Sequence, residues 1–206
     1  MQIKLCGFTE SQSLQCAVDL GCDFVGFVFV EKSIRYINPG AAAELSRIVT
    51  GQTKKVAVVV DSSLKILEKI IKNIEPELVQ MHGSESAEDI ANFKKNFPQI
   101  KVIKAFRVSK KSDLEEVKKY SEVSDFFLID GSKPGSGEAF DWEILSGFQC
   151  KNDWFLSGGL NSENIETAIQ KTGAKMIDIS SGIEKIRGIK SPELISQLIK
   201  KVKNVS

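Results

Sequence analysis

The chain is expected to fold as a single-domain (β/α)8 TIM barrel of the α/β class, spanning residues 1–206. Three observations lead there. Short β-type apolar runs alternate with stretches of helical periodicity from one end to the other, and the alternation makes eight units with no block left over. Some runs, 23–30 above all, are almost continuously apolar, as strands covered on both faces are. The last two runs each end in a turn of small residues, Ser157-Gly158-Gly159 and Ser180-Ser181-Gly182. Turns of that kind, at the ends of the last two strands of a barrel, commonly hold a phosphate. A doubly wound open sheet is the competing architecture. It usually carries a glycine-rich phosphate loop after its first strand, where this chain reads Cys6-Gly7-Phe8-Thr9.

The elements follow in order. Residues 3–6 form the first run, broken by Gly7; Thr9 to Gln12 fits a capping box before Leu14, Ala17 and Val18 at helical spacing. After the second run comes an irregular stretch, 31–36, and then Asn38-Pro39, a cap and a first-turn proline. The third run, 55–60, precedes a helix with the stripe Leu64, Leu67, Ile70, Ile71, Ile74. The fourth, 78–81, is closed by His82-Gly83, and Ser86 caps the next helix. The fifth is 101–106, with a capping box at 112–115. The sixth, 125–129, delivers Asp130 to a Gly/Pro/Ser-rich loop, 131–137, too short for a linker and read as an active-site loop. Phe140-Asp141-Trp142 opens a short helix, Asn161 caps the helix between strands seven and eight, and Ser191-Pro192 starts the last helix.

Composition narrows the function classes. The chain is 42% hydrophobic and 27% charged, and 28 basic against 27 acidic residues leave a formal charge of +1. Neither a nucleic acid nor an anionic membrane is expected as partner. No apolar run approaches the ~20 residues that span a bilayer, and the N-terminus lacks a signal-peptide layout. One histidine and four cysteines without a C-x-x-C pair argue against a zinc site; reduced thiols and a cytoplasmic location are expected.

Strand ends of a barrel surround one mouth. This sequence puts there Cys6, Arg35, His82, Asp130, Gly158, Gly159, Ser181 and Gly182. Cys6 is either a buried small residue or a thiolate base for a carbon-bound proton, if dipoles or cations lower its pKa from about 8.5. Asp130 is a general acid, or else a helix cap or ion-pair partner of Lys133. Arg35 can clamp a carboxylate with two parallel hydrogen bonds or lie on the surface. His82 is read as a supporting residue. Asp178 points either into the barrel toward ligand hydroxyls or at neighbouring backbone.

Several segments together resemble the phosphoribosylanthranilate isomerase family. They are Lys4-Leu5-Cys6-Gly7-Phe8-Thr9, Lys32-Ser33-Ile34-Arg35-Tyr36, Val79-Gln80-Met81-His82-Gly83, Leu156-Ser157-Gly158-Gly159-Leu160 and Asp178-Ile179-Ser180-Ser181-Gly182-Ile183-Glu184. The resemblance covers nearly the whole chain. It implies an Amadori rearrangement of a small phosphoribosyl substrate without metal or cofactor, by a monomer or homodimer. It makes Asp130 the acid on the furanose ring oxygen and Cys6 the base at C2′. Arg35 would hold the anthranilate carboxylate, the glycine turns the phosphate, and Asp178 sugar hydroxyls. Pro134 and Glu138 depart from the family pattern and bear on loop closure. Two other readings remain. One is another phosphosugar barrel, such as a synthase needing lysines in the mouth, for which Lys4 and Lys104 are candidates. The other is a non-catalytic binder of phosphoribosyl ligands.

Overall fold

A strand with apolar side chains on both faces needs cover inside and outside, and eight such strands meet that need by closing on themselves. In the computed structural model, which describes residues 1–131 and 141–205, they do so. The strands are β1 (Gln2–Cys6), β2 (Phe24–Val28), β3 (Lys54–Val59), β4 (Leu78–Met81), β5 (Lys101–Arg107), β6 (Phe126–Asp130), β7 (Asp153–Ser157) and β8 (Met176–Ile179). They form one closed parallel barrel in chain order. The seam joins β1 to β8 in register, from Gln2 opposite Met176 to Leu5 opposite Ile179.

Alternation along each strand makes two cores. Phe24, Val56, Val58, Leu78, Ile103, Leu128, Phe155 and Met176 fill the barrel interior, where the Phe24 and Phe155 rings meet edge-on at 5.3 Å. Leu5, Phe27, Ala57, Val79, Phe127 and Ile177 point outward to the helices. Those are α1 (Ser11–Asp19), α2 (Pro39–Ser46), α3 (Leu64–Ile74), α4 (Ala87–Asn96), α5 (Leu114–Lys118), α6 (Ile165–Thr172) and α7 (Pro192–Val205). In α3 the expected stripe buries Leu67, Ile70 and Ile74.

Capping chemistry agrees with expectation at two helices. Asn38 Oδ1 accepts the Ala41 N–H with Pro39 in the first turn, and Ser86 and Asp89 make a reciprocal capping box. At α1 the cap residue is Glu10, without a side-chain hydrogen bond, so the expected box at Thr9 is not made. Before α5 the cap is carried by Asp113, which accepts from Ser109 and Lys110. After β6 the described residues hold a 3-10 turn, Trp142–Leu145, rather than an α-helix. The expected active-site loop from Ser132 to Gly137, with Lys133 and Pro134, lies outside the described residues, as do Glu138 and Phe140.

One element was not foreseen. Past β8 the chain forms a small antiparallel hairpin, β9 (Glu184–Ile186) and β10 (Ile189–Lys190). Gly188 turns it at φ 90°, in the left-handed region that glycine adopts without strain. The hairpin leans over the mouth and brings Glu184, Lys185, Ile186 and Arg187 to its rim.

Candidate active site at the C-terminal mouth

The strands' C-terminal ends surround a cavity of about 550 Å³. Eight of the nine residues expected at a site line it: Cys6, Arg35, His82, Asp130, Gly158, Gly159, Asp178 and Ser181. Gly182 does not. It lies behind the wall, bridged to Asn161, and a Cβ there would run into the Leu160 carbonyl oxygen. Its absent side chain lets the β8 turn close against the β7 turn. The neighbouring Gly158 and Gly159 have φ of 102° and 66°, so the β7 turn also depends on glycine.

Cys6 ends β1 with 6% of its surface exposed, at the cavity floor. Gly26 makes room for Cys6, and Gly7 for Arg35. A Cβ on Gly26, its cross-strand partner, would sit 2.7 Å from the Cys6 sulfur. A Cβ on Gly7, at φ 86°, would sit 2.7 Å from Arg35 Cδ. Ser180 Oγ donates to the Cys6 carbonyl at 3.0 Å, tying the strand end across the seam.

Beside Cys6 lies a group of buried charges, Lys4, Asp178 and Lys190, of which Lys190 had no expected role. Lys4 is wholly buried, and its Nζ donates to Asp178 Oδ1 at 2.7 Å. The two are cross-strand partners, so Asp178 points into the barrel, with Ser157 Oγ 3.4 Å from its other oxygen. Burial pulls the Lys4 ammonium down, but Asp178 and Cys6 outweigh it, and its pKa is raised. Burial pushes the Cys6 thiol up; Lys4 and Lys190 oppose this while Asp178 adds to it. The sulfur therefore rests as a thiol between two buried cations. Spacing was the available signal: residues two apart on a strand share a face, so a lysine two before an inward cysteine lies in the same interior.

Arg35 reaches the rim from the loop after β2, and its Nε and Nη2 donate to Glu184 at 2.6 and 2.9 Å. Glu184 also accepts from buried Lys190 at 2.8 Å, and Lys190 Nζ donates to the Ser180 carbonyl at 2.9 Å. Burial alone would raise the Glu184 carboxyl, but Arg35 and Lys190 bring it to about 2. Burial lowers the Lys190 ammonium from its ordinary value. Two of the guanidinium's nitrogens thus serve the hairpin.

His82 lies with Nε2 3.8 Å from Asp130 Oδ2, and its Nδ1 is 2.9 Å from Gln80 Nε2. Burial lowers its pKa, so the ring is neutral at pH 7. Lys104 is not a mouth residue. Its ammonium donates to the Gly83 carbonyl at 2.7 Å and to Glu85 at 2.8 Å. With Lys4 held below the floor by Asp178, neither lysine stands where a synthase would use it.

Fold and site together define a (β/α)8-barrel enzyme with a pocket for a small ligand, apolar walls carrying a few converging charged groups, at the strands' C-terminal ends. A family model described as N-(5'phosphoribosyl)anthranilate (PRA) isomerase matches residues 3–201. The chain belongs to that family of isomerases. An N-(5'-phosphoribosyl)anthranilate isomerase of Brucella canis is 39% identical over 98% of this chain and 94% of its own. The crystal structure of phosphoribosyl anthranilate isomerase from Thermotoga maritima superposes with a TM-score of 0.90 at 34% identity, covering 99% of each chain. Another, in complex with reduced 1-(o-carboxyphenylamino)-1-deoxyribulose 5-phosphate, gives 0.86 at 32%, again over 99% of each. Among the described residues no helix is long and apolar enough to cross a membrane.

Proposed function

We propose that this chain converts N-(5′-phosphoribosyl)anthranilate to 1-(2-carboxyphenylamino)-1-deoxyribulose 5-phosphate, the aldose–ketose isomerisation of tryptophan biosynthesis. In this reading Asp130 protonates the furanose ring oxygen. The ring opens to an iminium, which acidifies the C2′ proton. Cys6, as thiolate, removes that proton, and the enolamine tautomerises to the ketone. The protonated ring C–O bond breaks with its electron pair going to oxygen, the other steps move protons, and substrate and product are isomers, so the chemistry calls for no electron carrier.

The observation that carries the reading is convergence. A thiol from β1 and a carboxylate from β6 enter one cavity edged by the turns after β7 and β8. In this arrangement Gly158, Gly159 and Ser181 cradle the phosphate while Gly182 holds the two turns together. Arg35 Nη1 meets the anthranilate carboxylate, with Glu184 fixing the guanidinium plane, and Asp178 takes a sugar hydroxyl. Lys4 and Lys190 offset the cost of a buried thiolate. The partner is thus a small phosphoribosyl compound. We take the chain to work in the cytoplasm as a monomer or homodimer, without nucleic acid or membrane; one related structure is of monomers generated from the dimeric phosphoribosylanthranilate isomerase of Thermotoga maritima.

Fluorescence-monitored turnover of freshly prepared phosphoribosylanthranilate tests this directly. Wild-type chain should consume it. Cys6→Ser and Asp130→Asn should each lose at least about a hundredfold in kcat, the low end of what a positioned acid or base contributes, while still binding the reduced product analogue. A wild-type chain that binds the analogue without turnover would be a binder and not an isomerase.

A further inference from the structure

Among the described residues that line the cavity, Gln80 has a buried side chain that is half satisfied. It stands on β4 with 1% of its surface exposed and lines the cavity. Its Nε2 lies 2.9 Å from His82 Nδ1, whereas its Oε1 is buried with no hydrogen-bond partner among the described residues. An amide oxygen left bare in an apolar layer costs about 1–3 kcal/mol, so an unpaired acceptor beside a ligand cavity points to a donor that arrives with the ligand. The other end of the amide has a consequence of its own. With an amide N–H on Nδ1, that ring nitrogen accepts, so the proton of a neutral imidazole sits on Nε2. Nε2 is the atom that faces Asp130 Oδ2 at 3.8 Å.

We propose that Gln80 couples sugar binding to the acid: its amide oxygen accepts a hydroxyl of the bound phosphoribosyl ligand, and its amide nitrogen holds His82 as the Nε2–H tautomer facing Asp130. The proposal rests on the reading of Asp130 as general acid. Gln80 touches the ligand, and His82 is a positioning residue that acts through Asp130. A neutral N–H suits that place. As Asp130 gives up its proton, negative charge develops on the carboxylate, and a preset N–H dipole stabilises it. Burial is the largest influence on the ring and keeps it neutral; Lys4 and Arg107 act in the same sense, against Asp130 and Asp178.

The chain contains a single histidine, so ¹⁵N-histidine labelling gives one unambiguous imidazole spectrum. The free wild-type protein at pH 7 should show protonated Nε2 and unprotonated Nδ1. Gln80→Met, similar in size and unable to hydrogen-bond through an amide, should lose that single tautomer and bind the reduced product analogue about tenfold more weakly, the worth of one hydrogen bond. Gln80→Glu, whose carboxylate can only accept, should move a proton onto Nδ1, and it carries the test should the methionine variant not fold. Wild-type protein already protonated at Nδ1, or a folded Gln80→Met with unchanged affinity, would overturn the proposal. The imidazole spectrum does not depend on turnover. A wild-type chain inactive on phosphoribosylanthranilate would sink the isomerase reading alone.

Discussion

Cys6 can take a carbon-bound proton only as a thiolate, and its surroundings hold it as a thiol. Burial raises its pKa, and Lys4 and Lys190 only partly compensate. The sign of the pH dependence follows. Below a raised pKa, the thiolate fraction grows tenfold per pH unit, so kcat/KM should climb through neutral pH and on above 8 until a second group titrates. A profile flat between pH 6 and 9 would remove Cys6 as the base. The same sulfur is sensitive to its floor. Gly26→Ala would place a methyl 2.7 Å from Sγ, against a backbone that cannot give way. It should lower kcat while Kd for the reduced product analogue changes less than about threefold; wild-type kcat would mean the sulfur's position is not critical. At this scale the sequence was readable for residues at strand ends, because chain order places them at one mouth. It was unreadable for Gly26 and Gln80, whose meaning depends on what lies opposite them in the barrel.

Element boundaries followed from runs and caps, and the departures have physical causes. Among its described residues the sixth unit has a single 3-10 turn, Trp142–Leu145, that buries Leu145. The hairpin after β8 escaped notice because three residues and two residues are too short to show a period. What holds it is charge rather than apolar area, since Ile186 is 61% exposed. Glu184 is its anchor, tied to Arg35 on one side and Lys190 on the other. A carboxyl held at about 2 against its ordinary 4.5 stabilises the fold fully above pH 4.5, and that stability is lost as the pH falls toward 2. Thermal melts should therefore show a midpoint dropping across that window, and Glu184→Gln should lose part of the drop together with part of the stability at pH 7. The same variant should admit trypsin after Lys185 and Arg187 several times faster, and it should weaken the analogue about as much as Arg35→Ala. If Arg35→Ala binds the analogue normally, the carboxylate assignment to Arg35 fails and the Glu184 pair is purely structural.

The whole molecule depends on one closure, in which the first strand meets the last. Residues 2–5 register with 176–179, so the ring closes only after nearly the entire chain has been placed. That eight strands would close was legible, because eight alternating units fill the chain and the first strand lacks the glycine-rich phosphate loop of an open doubly wound sheet. The material of the seam was not. A lysine and an aspartate 174 residues apart in sequence meet in the buried interior at 2.7 Å, and no local pattern announces such a pair. Its energetics are asymmetric. A buried ion pair gains little over apolar side chains of similar size, but removing one partner strands the other charge and costs about 3–5 kcal/mol. Lys4→Met alone should therefore lower the urea midpoint sharply at unchanged slope, and Lys4→Met with Asp178→Leu should recover most of that loss. The double variant should still be inactive, since it removes both a cation beside Cys6 and the carboxylate proposed to meet the sugar. Stability regained without activity would assign the pair to chemistry rather than to closure. A double variant no more stable than Lys4→Met would show that the ion pair itself holds the barrel shut.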